Sequence, residues 1–306
     1  MRRRRFLLAS GTTLAGGALA GCTGSGPKNG GNGDDSNKKQ TGGSGPSNKT
    51  TSGGDDGGDG KATVGGFQLV AANVPNKVTM GQEFMLSLTL KNVGDKKRAF
   101  TSPVQVDGNT PGSQQMGQLK TDKIAPGETT KWSTKLTYPY VATVKYHIEK
   151  LKKTFTIDIV GEKLSLGQTF RSPTEVAVTI QDITLTDHYR YETGSGGSEM
   201  VEASDGKQWA FVTVKAENKF RMKQTLPKGE KIQLIVGGQR ISPTDITKED
   251  GQYKVNRFGD RTVASGESLS GWLAYELAAD KTVDDLTVEW KGSDGNGSWW
   301  ARWNGN

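Results

Sequence analysis

Residues 78–90 read VTMGQEFMLSLTL, and the second half of that stretch decides the fold class. Phe84, Leu86, Leu88 and Leu90 fall on one side of an extended chain, and Met85, Ser87 and Thr89 on the other. An apolar period of two marks a half-buried strand, because successive strand side chains point to opposite faces. Asn92-Val93-Gly94-Asp95 then reads as a turn. Further on, the Pro126-Gly127 turn precedes Trp132, Leu136 and Tyr138. Ala142, Val144, Tyr146 and Ile148 alternate, and Phe155, Ile157 and Ile159 follow across a charged connection at 149–152. After Gly161 the pattern restarts with Val176, Val178 and Ile180, then Ala210, Val212, Val214 and Ala216. Ile232, Leu234 and Val236 lead into a Gly237-Gly238 turn; Leu269, Gly271, Leu273 and Tyr275 come next, then Leu286, Val288 and Trp290. No window holds a sustained helical period with caps. Short strands separated by turn signals predict an all-β chain of sandwich type. A boundary near 161–163 predicts two tandem immunoglobulin-like β-sandwich modules, 64–161 and 162–306, close together on a short link. One large sandwich of roughly 240 residues is the alternative.

Composition places something other than a core in this chain. Hydrophobic residues are 32% of the 306, and glycine supplies 42. Ordinary globular chains run at roughly 45–50% apolar with glycine included, and at about half this glycine share. The glycine excess is concentrated before residue 61. Residues 1–22 read MRRRRFLLASGTTLAGGALAGC: a charged head, an apolar stretch from Phe6 to Ala20, then small residues. That is the layout of a secretory signal, residues 1–21. The apolar stretch is diluted by glycine, serine and threonine, and it is shorter than the ~20 residues a spanning helix needs. Arg3, Arg4, Phe6 and Leu7 resemble the twin-arginine export signal. Leu19-Ala20-Gly21-Cys22 resembles the lipobox of prokaryotic lipoproteins, in which small residues admit the peptidase and the thiol takes a lipid as a thioether. A group with two acyl chains anchors stably, whereas one chain binds only marginally. Cys22 is the only cysteine, so a disulfide framework and any multi-cysteine metal site are excluded.

From Thr23 to Gly60 there is no Ala, Val, Ile, Leu, Met, Phe, Trp, Tyr or Cys. Such a segment cannot bury enough apolar surface to offset chain entropy, so 22–63 reads as the lipidated cysteine and a disordered tether. In the glycine-rich regime its root-mean-square reach is roughly 35 Å. Asn48-Lys49-Thr50 and Asn296-Gly297-Ser298 are glycosylation sequons. In layout, residues 1–60 resemble the lipoproteins of halophilic archaea. The formal charge of +7 includes four arginines at 2–5, so the chain after the signal is close to +3. It shows neither the concentrated basic face of a nucleic-acid binder nor a strong acidic excess.

Gln208–Asn218 (QWAFVTVKAEN) and Val263–Leu277 (VASGESLSGWLAYEL) resemble the telokin-like, immunoglobulin-like domains found behind prokaryotic lipoprotein signals. In those domains an apolar strand ends at a polar Asn turn, and a later Gly-Glu turn leads into a strand carrying glycine and an aromatic residue. Here Ser265-Gly266-Glu267 precedes Gly271-Trp272, and Ala125-Pro126-Gly127-Glu128 precedes Trp132 in the same manner. The first module also resembles the immunoglobulin-like adhesion repeats of archaeal surface proteins. The resemblance implies a β-sandwich and no known activity.

Chemistry-bearing residues are sparse. His147 sits in an alternating strand opposite Tyr146 and reads as a surface or edge residue. His188 lies in Asp187-His188-Tyr189-Arg190-Tyr191-Glu192, where neighbours point to opposite faces, so a polar edge strand entering the glycine loop 194–197 accounts for it. There is no Gly-x-Ser-x-Gly elbow and no phosphate loop. Blue copper needs two His and a Cys, which lipidation of Cys22 removes. Lys96-Lys97-Arg98 and Lys150, Lys152 and Lys153 fit turns and guarded edges, with attraction to acidic glycans or headgroups as the sharper reading. Trp299-Trp300-Ala301-Arg302-Trp303 fits a last strand pairing with 286–291 across Gly292–Gly297, or an aromatic platform for sugars or a partner. As a strand it puts Trp300 and Arg302 on the candidate binding surface.

These readings converge on a lipoprotein held at the extracytoplasmic face of the cell membrane by a lipid on Cys22. It acts as a non-enzymatic binding or structural module without cofactor, toward a cell-surface protein or glycan. The ligand-binding accessory subunit of a transporter is one alternative, although helical crossovers are missing. A cell-surface hydrolase is the other, with Glu175, Asp182, Asp187 and Glu192 as its acids.

Overall fold

The computed structural model describes residues 63–108, 114–192, 196–244, 258–259 and 261–305. The signal, the lipobox, Cys22, the tether and Asn48 lie outside the described residues. The described chain is all-β, with short 3-10 turns as its only helical elements, and no helix in it is long and apolar enough to cross a membrane.

The first sandwich uses β1 (Thr63–Val64), β2 (Phe67–Asn73), β3 (Lys77–Thr79), β4 (Glu83–Asn92), β5 (Arg98–Gly108), β6 (Gln114–Ile124), β7 (Thr129–Thr137), β8 (Ala142–Ile148) and β9 (Lys153–Val160). One sheet runs β1-β2-β4-β7 and the other β3-β9-β8-β5-β6. The alternation in the sequence becomes burial. Leu86, Leu88 and Leu90 of β4 face Val144, Tyr146 and Ile148 of β8, and all are buried. His147, on the opposite face of the central strand β8, is half-buried and bonds Thr154 through Nδ1 at 3.0 Å.

The second sandwich uses β10 (Glu162–Ser165), β11 (Thr169–Arg171), β12 (Val176–Thr186), β13 (His188–Glu192), β14 (Ser198–Glu202), β15 (Lys207–Asn218), β16 (Gln224–Thr225), β17 (Ile232–Val236), β18 (Gln239–Ile241), β19 (Thr262–Val263), β20 (Ser268–Ala278), β21 (Leu286–Asp294) and β22 (Gly297–Asn304). Its sheets run β11-β12-β15-β20 and β10-β22-β21-β17-β18. β13 and β14 pair only with each other, as a ribbon. Each sandwich lays a short early strand parallel to its last one, β3 on β9 and β10 on β22. Gly237 and Gly238 both have positive φ (56° and 83°), the conformation that a two-residue hairpin between β17 and β18 requires.

The chain passes from one pair of sheets to the other at Gly161, and residues 61–306 form one compact unit with a continuous apolar core. Contact across the junction is direct. Val141 N–H donates to the carbonyl of Ser298 at 2.9 Å, and Tyr140 Oη donates to Asp294 Oδ2 at 2.8 Å. A Cβ at Gly297 would lie 2.7 Å from the Tyr140 ring.

One sequence expectation changes. Gly292 was expected in the turn before the last strand, yet β21 continues through it to Asp294, where Gly292 pairs with Trp299. A Cβ there would lie 2.2 Å from Trp299 Cζ2, so this glycine makes room for an indole and the turn shrinks to Gly295-Asn296. Trp132 and Trp272 also differ in face despite their matching turns. Trp132 pairs with Leu88 and packs on the core, whereas Trp272 pairs with Thr213 and points outward.

Candidate functional site

The last two strands build a charged outer face of the second sandwich. In β21 (LTVEWKGSD), Leu286, Val288 and Trp290 point into the core, which turns Thr287, Glu289 and Lys291 outward. In β22 (GSWWARWN), Trp299, Ala301 and Trp303 are buried, and Trp303 donates through Nε1 to the carbonyl of Gln168 at 2.8 Å. Trp300 and Arg302 take the outer face. Register then sets the neighbours: Glu289 is opposite Arg302 on one side and Gln233 on the other, Trp300 is opposite Lys291, and Arg302 is opposite Lys163 of β10.

Glu289 is only 1% exposed although it belongs to the outer face. Cations cover it. Arg240 donates through Nε to Oε1 at 2.9 Å and through Nη2 to Oε2 at 3.5 Å. Arg302 donates through Nε to Oε2 at 2.7 Å, and Lys291 Nζ reaches Oε1 at 2.9 Å. Burial pushes the carboxyl pKa up, but the hydrogen bonds from Arg240, Lys291 and Arg302 outweigh it and draw the group down to about 2. The carboxylate is therefore ionised, and it holds its cations in fixed geometry without neutralising all of them. Arg302 spends Nε on Glu289 and keeps its other guanidinium nitrogens free of bonds among the described residues, with Cζ 4.6 Å from the Trp300 ring centroid.

Trp300 is half-buried rather than a free platform. A Cβ at Gly161 would lie 2.2 Å from its Cδ2, so the indole lies across the backbone joining the sandwiches. Beside it runs an open groove of about 740 Å³, bordered by Lys77, Thr79, Gln82, Glu162, Lys163 and Trp300 among others. A smaller hollow of about 160 Å³ on the other side of Lys163 and Arg302 reaches Ile235, Thr287 and Asn304. Burial raises the Glu162 carboxyl.

The remaining sequence candidates are scattered. Asn296 is exposed in the β21–β22 turn. His188 Nδ1 bonds Asp187 at 2.5 Å, at the start of the ribbon. Glu175 pairs with Arg171, and Asp182 is exposed at a bulge of β12. Neither groove contains Glu175, Asp182 or Asp187, and the Glu192 side chain lies outside the described residues. No cluster of three or more metal-ligating side chains occurs among the described residues. The basic runs serve local structure: the Lys96 carbonyl accepts from Asn92, Arg98 reaches Asp95, and Lys150 N–H donates to Ser102.

Sequence reasoning missed two features. Glu289, between Val288 and Trp290, looks like any solvent-facing strand acid, and nothing in the local pattern marks its burial. The other is a second apolar cluster on the outer face of β15 and β20, formed by Tyr189, Trp209, Phe211, Trp272 and Ala274, with Val201 and Ala203 of the ribbon side packed on it. Its signal was present: Trp209-Ala210-Phe211-Val212 is apolar on both faces, the mark of a strand covered twice.

Residues 166–296 match the model of a domain of unknown function, DUF4352. The matched segment contains Glu289, Lys291 and Arg240, while Lys163, Trp300 and Arg302 lie just beyond its ends. Among solved structures, the chain is similar to the yjhA protein of Bacillus subtilis at 13% identity, covering 46% of this chain and 99% of that one with a TM-score of 0.35. It is similar also to an uncharacterised β-sandwich protein of Clostridium difficile at 11% identity, covering 46% and 93%, with a TM-score of 0.29. No curated protein matches the chain.

Proposed function

We propose that this chain is a lipid-anchored, extracytoplasmic binding module without catalytic activity. The outer face of β10-β22-β21-β17-β18 meets its ligand. The anchor follows from Leu19-Ala20-Gly21-Cys22 behind a short apolar segment, with residues 23–60 as the leash. The binding role is carried by the convergence of Arg240, Lys291 and Arg302 on the buried Glu289. A sheet that needed only solubility would carry exposed, mobile charges. Here an ionised acid is buried at a cost of desolvation, and what it obtains is a fixed set of cations at the surface. Lys163 extends that set across β10.

Two measurements test the reading. Cys22→Ala should move the protein from the detergent phase to the aqueous phase; unchanged partitioning removes the lipid anchor. Lys163→Glu should reduce retention of the purified protein on envelope fractions of its own cells, and undiminished retention removes this face as the binding surface.

A further inference from the structure

We infer that the groove between the two sandwiches is a binding site for an anionic polysaccharide, a uronate-type polymer lying over Trp300 between Lys77 and Lys163. This names the ligand class of the face proposed above and rests on that reading.

Three observations carry it. The first is charge. Lys77 and Lys163 are exposed and make no ion pair among the described residues, and Arg302 next to them spends only one nitrogen on Glu289. The carboxylates near them are Glu289, already covered by cations, Glu162, whose burial disfavours its charge, and Asp158, which is opposite Lys77 in the β3–β9 register but forms no ion pair with it. An acidic ligand therefore meets surplus, pre-positioned cations.

The second is shape. The opening is a groove of about 740 Å³, not an enclosed pocket, and it shares Lys163 with the smaller hollow. An open groove with Lys77 and Lys163 on its border suits a chain of charged units better than one small ion, which an enclosed site would surround.

The third is the chemistry of the wall. Trp300 borders the groove with a half-buried indole, backed by Gly161 and with the Arg302 guanidinium over the ring, and supplies apolar contact beside the cations. Gln82, Thr79 and Glu162 border the same groove and supply donors and acceptors for hydroxyl groups. A membrane surface fits less well. The large exposed apolar side chains, Val70, Met85, Val93, Met200 and Met222, include none that borders the groove, so no anchor accompanies the charge.

The test uses the full chain carrying Cys22→Ala, so that no lipid contributes, in affinity electrophoresis through gels containing polygalacturonate. Dextran gels are the neutral control, polyglutamate the acidic control without sugar, and phosphatidylglycerol vesicles the lipid control. Retardation is expected with polygalacturonate alone, weakened about tenfold or more in Lys77→Ala/Lys163→Ala and retained in Lys77→Arg/Lys163→Arg. Both lysines are exposed, so the two double variants should melt with the parent. The inference is overturned by absence of retardation, by equal retardation of the alanine variant, by polyglutamate matching polygalacturonate, or by preference for the vesicles. If Lys163→Glu still abolishes envelope retention in that event, the binding face stands and only its ligand is wrong.

Discussion

Asn218, at the end of β15, repeats the bonds that Asn92 makes at the end of β4 and adds one more. Asn92 Nδ2 donates to the carbonyls of Lys96 and Ile124, both at 2.8 Å, and its Oδ1 accepts from Gly94 N–H at 3.0 Å. Asn218 Nδ2 donates to Met222 at 2.8 Å, Ala264 at 3.1 Å and Val263 at 3.2 Å, and its Oδ1 accepts from Phe220 N–H at 2.9 Å. The main chains repeat too: Asn92 N–H donates to Glu128 and Asn218 N–H to Glu267, while Gly127 and Gly266 donate back to the asparagine carbonyls. Both asparagines are fully buried. Each sandwich thus pins the end of a central strand to a distant turn with one amide, which satisfies carbonyls that no ladder reaches.

Asn218→Ala should lower stability by about 2–4 kcal/mol, because several buried carbonyls lose their donor at once. Asn92→Ala should do the same in the first sandwich. Urea denaturation checks both, and a loss under about 1 kcal/mol would show that water takes over the amide's role.

The two turns that these asparagines meet give a milder test. Gly127 (φ 79°) and Gly266 (φ 82°) have no heavy atom within 4 Å of an added Cβ, so alanine there costs only backbone strain. Each Gly→Ala should lower stability by about 1 kcal/mol, visible as a modest fall in Tm.

Gly161→Ala is a steric test. Its Cβ would lie 2.2 Å from the Trp300 indole, which has to leave. Expected are a loss of about 1–3 kcal/mol and a red shift of tryptophan emission. Trp300→Ala should relieve only part of that loss, since the Trp300 carbonyl oxygen, 2.3 Å from the same Cβ, stays in place. Additive effects in the double variant would separate them.

Glu289 sets an acid limit on stability. Its folded carboxyl titrates at about 2 against an ordinary 4.5. The contribution is therefore complete above pH 4.5 and is lost as pH falls toward 2. At about 1.4 kcal/mol per unit it amounts to roughly 3–3.5 kcal/mol. Wild-type Tm should fall between pH 5 and pH 2 more steeply than that of Glu289→Gln, and parallel curves would contradict the assignment. At neutral pH the variant leaves Arg240, Lys291 and Arg302 facing one another and should be the less stable protein.

Leu86, Leu88 and Leu90, or Val212, Val214 and Ala216, announce their faces by alternation, because a strand side chain's direction depends only on its own position. The strand at Trp299–Trp303 was legible on the same ground, and so was the outward turn of Trp300 and Arg302. The burial of Glu289 was not legible, since it depends on Arg240 from β18 and Arg302 from β22 arriving over β21. Nor was the groove, whose borders come from β3, β10 and β22.

The amino-acid order by itself determined that this protein is built of strands, where each strand turns its apolar side, and that one cysteine stands behind a short apolar segment. These are local matters of period, composition and turn chemistry. Tertiary structure alone decided that Gly161 lies under Trp300, that an outward-facing acid is sealed beneath cations, and that a basic groove opens between the sandwiches. Each of those relations joins residues far apart in the chain, and register and packing, which no short window contains, fix their distances.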